Sequence, residues 1–93
     1  MPPSAKATVR IANKLGMHAR PAMMFVECAS AFQADVLVRR ADDDEWLDGK
    51  SIMQMMILAA THDTQIEISA TGDDSAEAVK RLVALVKSKF EED

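Results

Sequence analysis

The 93-residue sequence has no tyrosine, one tryptophan, one cysteine, and only three each of phenylalanine, glycine and proline. A lone cysteine excludes an internal disulfide and a thiolate-rich metal site. The sparse glycines form no phosphate-cradling loop, and no Ser-x-x-Lys pattern occurs. The two histidines do not stand at metal-ligand spacing, so no metal and no cofactor are expected. Long apolar runs are also missing. The longest, Ile52 to Ala60, is broken by Gln54 and falls far short of the ~20 residues of a membrane span. The first residues, Met-Pro-Pro-Ser-Ala-Lys, lack a signal-peptide stretch, so the expected compartment is cytoplasmic, with no membrane partner. Basic residues are in deficit, 11 against 15 acidic, for a net charge of −4. With no basic stripe to neutralise phosphates, a nucleic-acid partner is not expected.

What is present fits a folded chain, 48% hydrophobic and 28% charged. Its length predicts a single domain over 1–93 with little core to spare for a deep cleft. Nothing suggests more than a monomer. Seven methionines outnumber the aromatics, and methionine serves both cores and adaptable binding surfaces.

Hydropathy alternates over Lys6 to Ile11, which predicts a strand with Ala7, Val9 and Ile11 inward. A helical pattern runs from about His18 to Phe32, with Ala22, Val26 and Ala29 on one face and Pro21 in the first turn. Strands are expected at Asp35 to Arg40, Glu45 to Asp48 and Gln65 to Ala70. A short helix from Ser51 to Leu58 has Ser51 as its N-cap. The last helix shows Asp74 and Glu77 at capping-box spacing, with Val79, Leu82, Val83, Val86 and Phe90 on its apolar face. Glu77 and Arg81 stand at pairing distance across one turn. The order β-α-β-β-α-β-α, with one wet face per strand, predicts a two-layer α+β domain. Its sheet is mainly antiparallel, with all helices on one side.

Chemistry points to one place. Gly16-Met17-His18-Ala19-Arg20-Pro21-Ala22 puts His18 at a loop-to-helix junction. Helix starts present N–H groups without helical acceptors and a partial positive charge, which favour an anion such as a phosphoryl group. An imidazole lone pair is a phosphorus nucleophile, and Arg20 can contact phosphoryl oxygens. The residues alone leave a second reading open, with His18 a plain N-cap and Arg20 a solvated charge. His62 reads as an exposed loop histidine. A Ser-His-Asp hydrolase has no support beyond a histidine.

The stretch Asn13-Lys14-Leu15-Gly16-Met17-His18-Ala19-Arg20-Pro21-Ala22 resembles the active-site signature of the HPr family. These are histidine phosphocarriers of the bacterial phosphotransferase system. Gly49-Lys50-Ser51-Ile52-Met53 resembles the family's regulatory serine motif, and the likeness runs from Lys6 to Phe90. The resemblance implies an open-faced β-sandwich, a four-stranded antiparallel sheet covered on one face by three helices. It implies that enzyme I, charged by phosphoenolpyruvate, phosphorylates Nδ1 of His18. Arg20 contacts the phosphoryl group, which passes to a IIA protein or domain. On this reading the chain is a phosphoryl-transfer intermediate rather than an enzyme.

The resemblance also implies that HPr kinase/phosphorylase modifies Ser51. Partners of the family dock on exposed apolar residues of the first two helices. Ile52, Met53 and Met56 are therefore expected to be partly exposed, forming a patch with Met17, Met23 or Met24. Met55, Ile57 and Leu58 are expected in the core, and Cys28 reads as a small apolar residue. Two features depart from the common pattern: the acidic run Asp42 to Glu45, and Gln54 where many members have glycine. Lys-Leu-Gly-Met-His and the acidic tail resemble nitrogen-branch NPr members, whereas Gly-Lys-Ser-Ile-Met resembles kinase-regulated ones. An alternative function is therefore a regulatory binding module, NPr-like or dependent on Ser51 phosphorylation, rather than a sugar-uptake carrier.

Overall fold

A computed structural model describes residues 2–58 and 60–91. Among these, the elements are β1 (Ser4–Arg10), α1 (Ala19–Ser30), β2 (Asp35–Arg40), β3 (Leu47–Asp48), α2 (Ile52–Ile57), β4 (Gln65–Thr71) and α3 (Ser75–Lys87). The strands form one antiparallel sheet in the order β1-β4-β2-β3. The fold is the expected α+β open sheet with its helices on one face.

Strand register explains the two faces. Ala7, Ile68 and Val38 align across three strands, as do Ala5, Ala70 and Val36. Alternate side chains share a face, so these rows turn toward the helices. Val36, Val38, Ile66, Ile68 and Ala70 are buried there against Phe25, Leu82 and Val86. α3 packs on β1 and β4, and α1 packs on α2 and α3.

The opposite rows, Lys6-Ser69-Leu37 and Thr8-Glu67-Arg39, form the open face. Trp46 lies across it, with Lys6 Nζ 5.8 Å and Arg39 Cζ 5.1 Å from the ring. Arg39 also contacts Glu67 Oε1 through Nε at 2.8 Å and Nη2 at 2.7 Å, and donates to Asp43 O at 2.7 Å. Arg40 pairs with Asp42 at 3.2 Å. The acidic β2–β3 connection is therefore folded back on two arginines of its own sheet. β3 is shorter than the expected Glu45 to Asp48. The Glu45 N–H is taken by Asp43 Oδ1 at 3.1 Å, a local turn that competes with the ladder.

Two more expectations are corrected at the ends of α3. Asp74 occupies the N-cap position but makes no capping bond. Its carboxylate instead accepts from Gln33 N at 2.9 Å and Ala34 N at 2.8 Å. Phe90 is buried as expected, yet not as a residue of α3. The helix ends at Lys87, and Lys89, Phe90 and Glu91 turn back with φ of 61°, 54° and 59°. Left-handed backbone is unfavourable for such residues. Full burial of a phenylalanine, worth about 1.5–3 kcal/mol, favours the turn. The expected Glu77–Arg81 pair is not formed among the described residues.

Candidate phosphoryl-acceptor site

The loop from Ile11 to His18 is held in place before the helix begins. Ile11 donates to Thr64 O at 2.9 Å and accepts from Asp63 N at 2.8 Å. Buried Asn13 donates through Nδ2 to Gly16 O at 2.8 Å. Gly16 adopts φ +71°, and a Cβ there would collide with Ala60 O and lie 2.8 Å from Thr61 Cα. Glycine is required by both conformation and space. The close approach lets Met17 N donate to Ala60 O at 2.8 Å.

Met17 is thereby turned inward. It is 4% exposed and belongs to the core, so it leaves the expected docking patch. A residue next to His18 serves here as an anchor.

His18 follows as the half-buried N-cap of α1, in extended conformation with φ −86° and ψ −168°. Its carbonyl accepts from Ala22 N at 2.9 Å, closing the first turn. Its side chain makes no capping bond. Ala19 and Arg20 are the first helical residues, so their N–H groups have no acceptor within the helix. Pro21 has no N–H to leave unpaired, and it is buried under the turn. Arg20 is exposed, without a hydrogen bond or ion pair to any described residue. A histidine, a helix start and an exposed guanidinium thus stand within three residues. This arrangement can accept a phosphoryl group and balance its charge. His62 lies in the exposed β4-side loop, 3.7 Å from Asp63 Oδ2.

Ser51 is half-buried at the N-cap of α2, as expected, and its Oγ accepts from Gln54 N at 3.2 Å. Met55 and Leu58 are buried on the inward side of α2, whereas Ile52, Met53 and Met56 are exposed. Ile57 is a correction: it is 63% exposed rather than in the core. Two residues are about 200° of helix, which places it opposite Met55. On α1, Met23 is exposed, while Met24 is only partly so and packs against the core.

Leu15 was missed. It is 72% exposed in the loop before His18. It sits outside any periodic segment, and its only signal was an apolar residue between Lys14 and Gly16. Burial pushes the Cys28 thiol up, with Arg81 pulling weakly the other way, which fits an unreactive apolar role. Among the described residues, no cluster of three His, Cys, Asp or Glu could hold a metal ion. No described helix is long and apolar enough to cross a membrane.

The four-stranded open sheet thus carries His18 at the start of its first helix. The PTS-HPr family, described as the PTS HPr component phosphorylation site, matches residues 5–88. Phosphocarrier protein NPr of Escherichia coli K12 is 42% identical over 90 residues, 97% of this chain and 99% of that protein. Phosphocarrier protein HPr of Neisseria meningitidis serogroup A is 42% identical over 87 residues, covering 94% and 96%. Among solved structures, HPr-C-His from Thermoanaerobacter tengcongensis aligns with a TM-score of 0.89 at 43% identity, over 96% of this chain and 98% of that one. The chain belongs to the HPr family of phosphotransferase-system phosphocarriers, and it works with the enzymes of that system.

Proposed function

We propose that His18 is the residue that carries the phosphoryl group. The observation that supports this is the place of His18 at the N-cap of α1, one residue before the first-turn N–H groups begin and two before the exposed Arg20. Enzyme I, itself charged by phosphoenolpyruvate, is the donor, and a IIA protein or domain is the acceptor. The Nδ1 lone pair forms a P–N bond as the bond to the donor breaks, and the donor leaves with that electron pair. Arg20 contacts the phosphoryl oxygens and lowers their charge repulsion. The chain is the phosphorylated intermediate rather than an enzyme, and acts in the cytoplasm as a monomeric single domain. Incubation with enzyme I and phosphoenolpyruvate tests this: Arg20→Ala slows transfer with the fold intact, and an unchanged rate removes it from the mechanism.

Docking uses the apolar groups that α1 and α2 leave exposed. Met23, Ile52, Met53 and Met56 form it, with Ile57 and Leu15 added, Met24 at its edge and Met17 removed. Ser51 is a regulatory phosphorylation site for HPr kinase/phosphorylase. Its phosphate adds roughly two negative charges to this surface and changes which partners bind.

A second reading draws on the relatives, since an NPr and an HPr match equally well at 42% identity. It makes the chain mainly a regulatory module whose Ser51 state selects partners. A pull-down with wild type, Ser51→Asp and His18→Ala separates the two. If Ser51→Asp changes no partner, the regulatory reading fails.

A further inference from the structure

We propose that Gln54 is the residue that positions Ser51 for phosphorylation, by holding the turn before α2 with its side chain and the serine hydroxyl with its main chain. The proposal rests on the reading of Ser51 as a phosphorylation site.

The turn Asp48 to Ser51 is closed by contacts to itself and to the sheet. Gly49 donates to Val36 O at 2.8 Å, and Ser51 N donates to Asp48 O at 3.1 Å. A Cβ at position 49 would lie 2.6 Å from Val36 Cγ1, so only glycine permits this approach. Lys50 N donates to Asp48 Oδ1 at 2.9 Å, and Lys50 Nζ reaches Phe32 O beyond the end of α1 at 2.8 Å.

These contacts leave the Asp48 N–H, and Gln54 supplies its acceptor: Oε1 lies at 2.8 Å. The same residue's N–H donates to Ser51 Oγ at 3.2 Å. Gln54 thus grips the turn at both ends, three and six residues upstream. In the usual capping box the side chain at this position returns to the N-cap's own N–H. Here the Ser51 N–H is already used, and the side chain reaches past it to Asp48.

The consequence for Ser51 is geometric. Its Oγ accepts the Gln54 bond and so keeps its own proton to give away. During phosphorylation that proton passes to a base on the kinase. The Oγ–P bond forms as the β–γ bond of ATP breaks, and ADP leaves with the electron pair. A hydroxyl hydrogen-bonded to Gln54 N on a closed turn needs less ordering to reach that geometry. The effect falls on kcat, since Gln54 is not among the apolar groups proposed to dock partners.

The test compares Gln54→Met, which keeps the length and removes the acceptor, with Gln54→Glu, which keeps an acceptor. Purified HPr kinase/phosphorylase and ATP are the phosphorylating system, and amide exchange of Asp48 is followed in parallel. The expected result for Gln54→Met is a kcat lowered about 5- to 10-fold, the weight of one ordinary hydrogen bond, with KM little changed and Asp48 exchange faster. Gln54→Glu should restore both kcat and exchange. Wild-type kcat in Gln54→Met, or a loss confined to KM, overturns the proposal. Absence of phosphorylation in the wild-type chain overturns the Ser51 reading itself and the proposal with it. The wild-type reaction tells these failures apart.

Discussion

Asp74 Oδ1 accepts the Ala34 N–H at 2.8 Å, which joins the start of α3 to the start of β2 across 40 residues of sequence. The Gln33 N–H on Oδ2 is the largest influence on this carboxyl, with Ala34 and the charge of Lys50 adding to it. Together they hold it below the usual aspartate value of 3.8. A carboxyl lowered on folding stabilises the protein above its unfolded pKa, and that contribution disappears as pH falls through the folded value. Asp74→Asn should therefore lower Tm at neutral pH. The gap to wild type should narrow as pH falls below 3.8, the ordinary value. Thermal melts over a neutral-to-acid series check this; a constant gap contradicts it.

Gly16→Ala places a side chain against Ala60 O at φ +71°. The conformation alone costs about 1–2 kcal/mol, and the collision adds to it. Denaturant unfolding should show at least that loss. Phosphorylation at His18 should slow as well, because the new methyl group pushes on Ala60 O, the acceptor of the Met17 N–H that anchors the loop.

Met55 and Met53 are near neighbours on α2 with opposite fates. Met55 is buried, so Met55→Ala should cost about 2–5 kcal/mol. Met53 is 75% exposed, and Met53→Ala should change stability by no more than about 0.5 kcal/mol. Met53→Ala and Ile57→Ala should instead weaken transfer from enzyme I. Chemical denaturation and transfer rates measured on the same preparations separate the two effects.

Legibility in the sequence followed the range of the interactions. β2 begins and ends where its alternation does, Ser51 caps α2, and His18 stands at the N-cap position of α1 as the local pattern requires. Each of these depends on neighbours in sequence. Met17 was misplaced because a bond to Ala60, in a distant loop, turns it inward. Asp74 has the spacing of a capping box, yet two N–H groups of the α1–β2 connection claim its carboxylate. Ile57 was misjudged because six residues of helix give too little periodicity to fix the phase. Of the candidate site, the N-cap positions of His18 and Ser51 were legible and part of the apolar surround was not. Exposure of Leu15 and Ile57 is settled by packing that local pattern does not encode.

Ser51→Ala removes the oxygen that accepts from Gln54 N. Loss of such a cap should lower stability by ~1 kcal/mol. It should also abolish serine phosphorylation by the kinase while leaving the histidine adduct unaffected.

The most direct test is the location of the phosphoryl group after reaction with enzyme I and phosphoenolpyruvate. Wild type, His18→Ala and His62→Ala are compared for an acid-labile, base-stable adduct, with circular dichroism confirming that each is folded. The account predicts the adduct in wild type and in His62→Ala, and none in His18→Ala. An acid-labile adduct that survives in folded His18→Ala would contradict it.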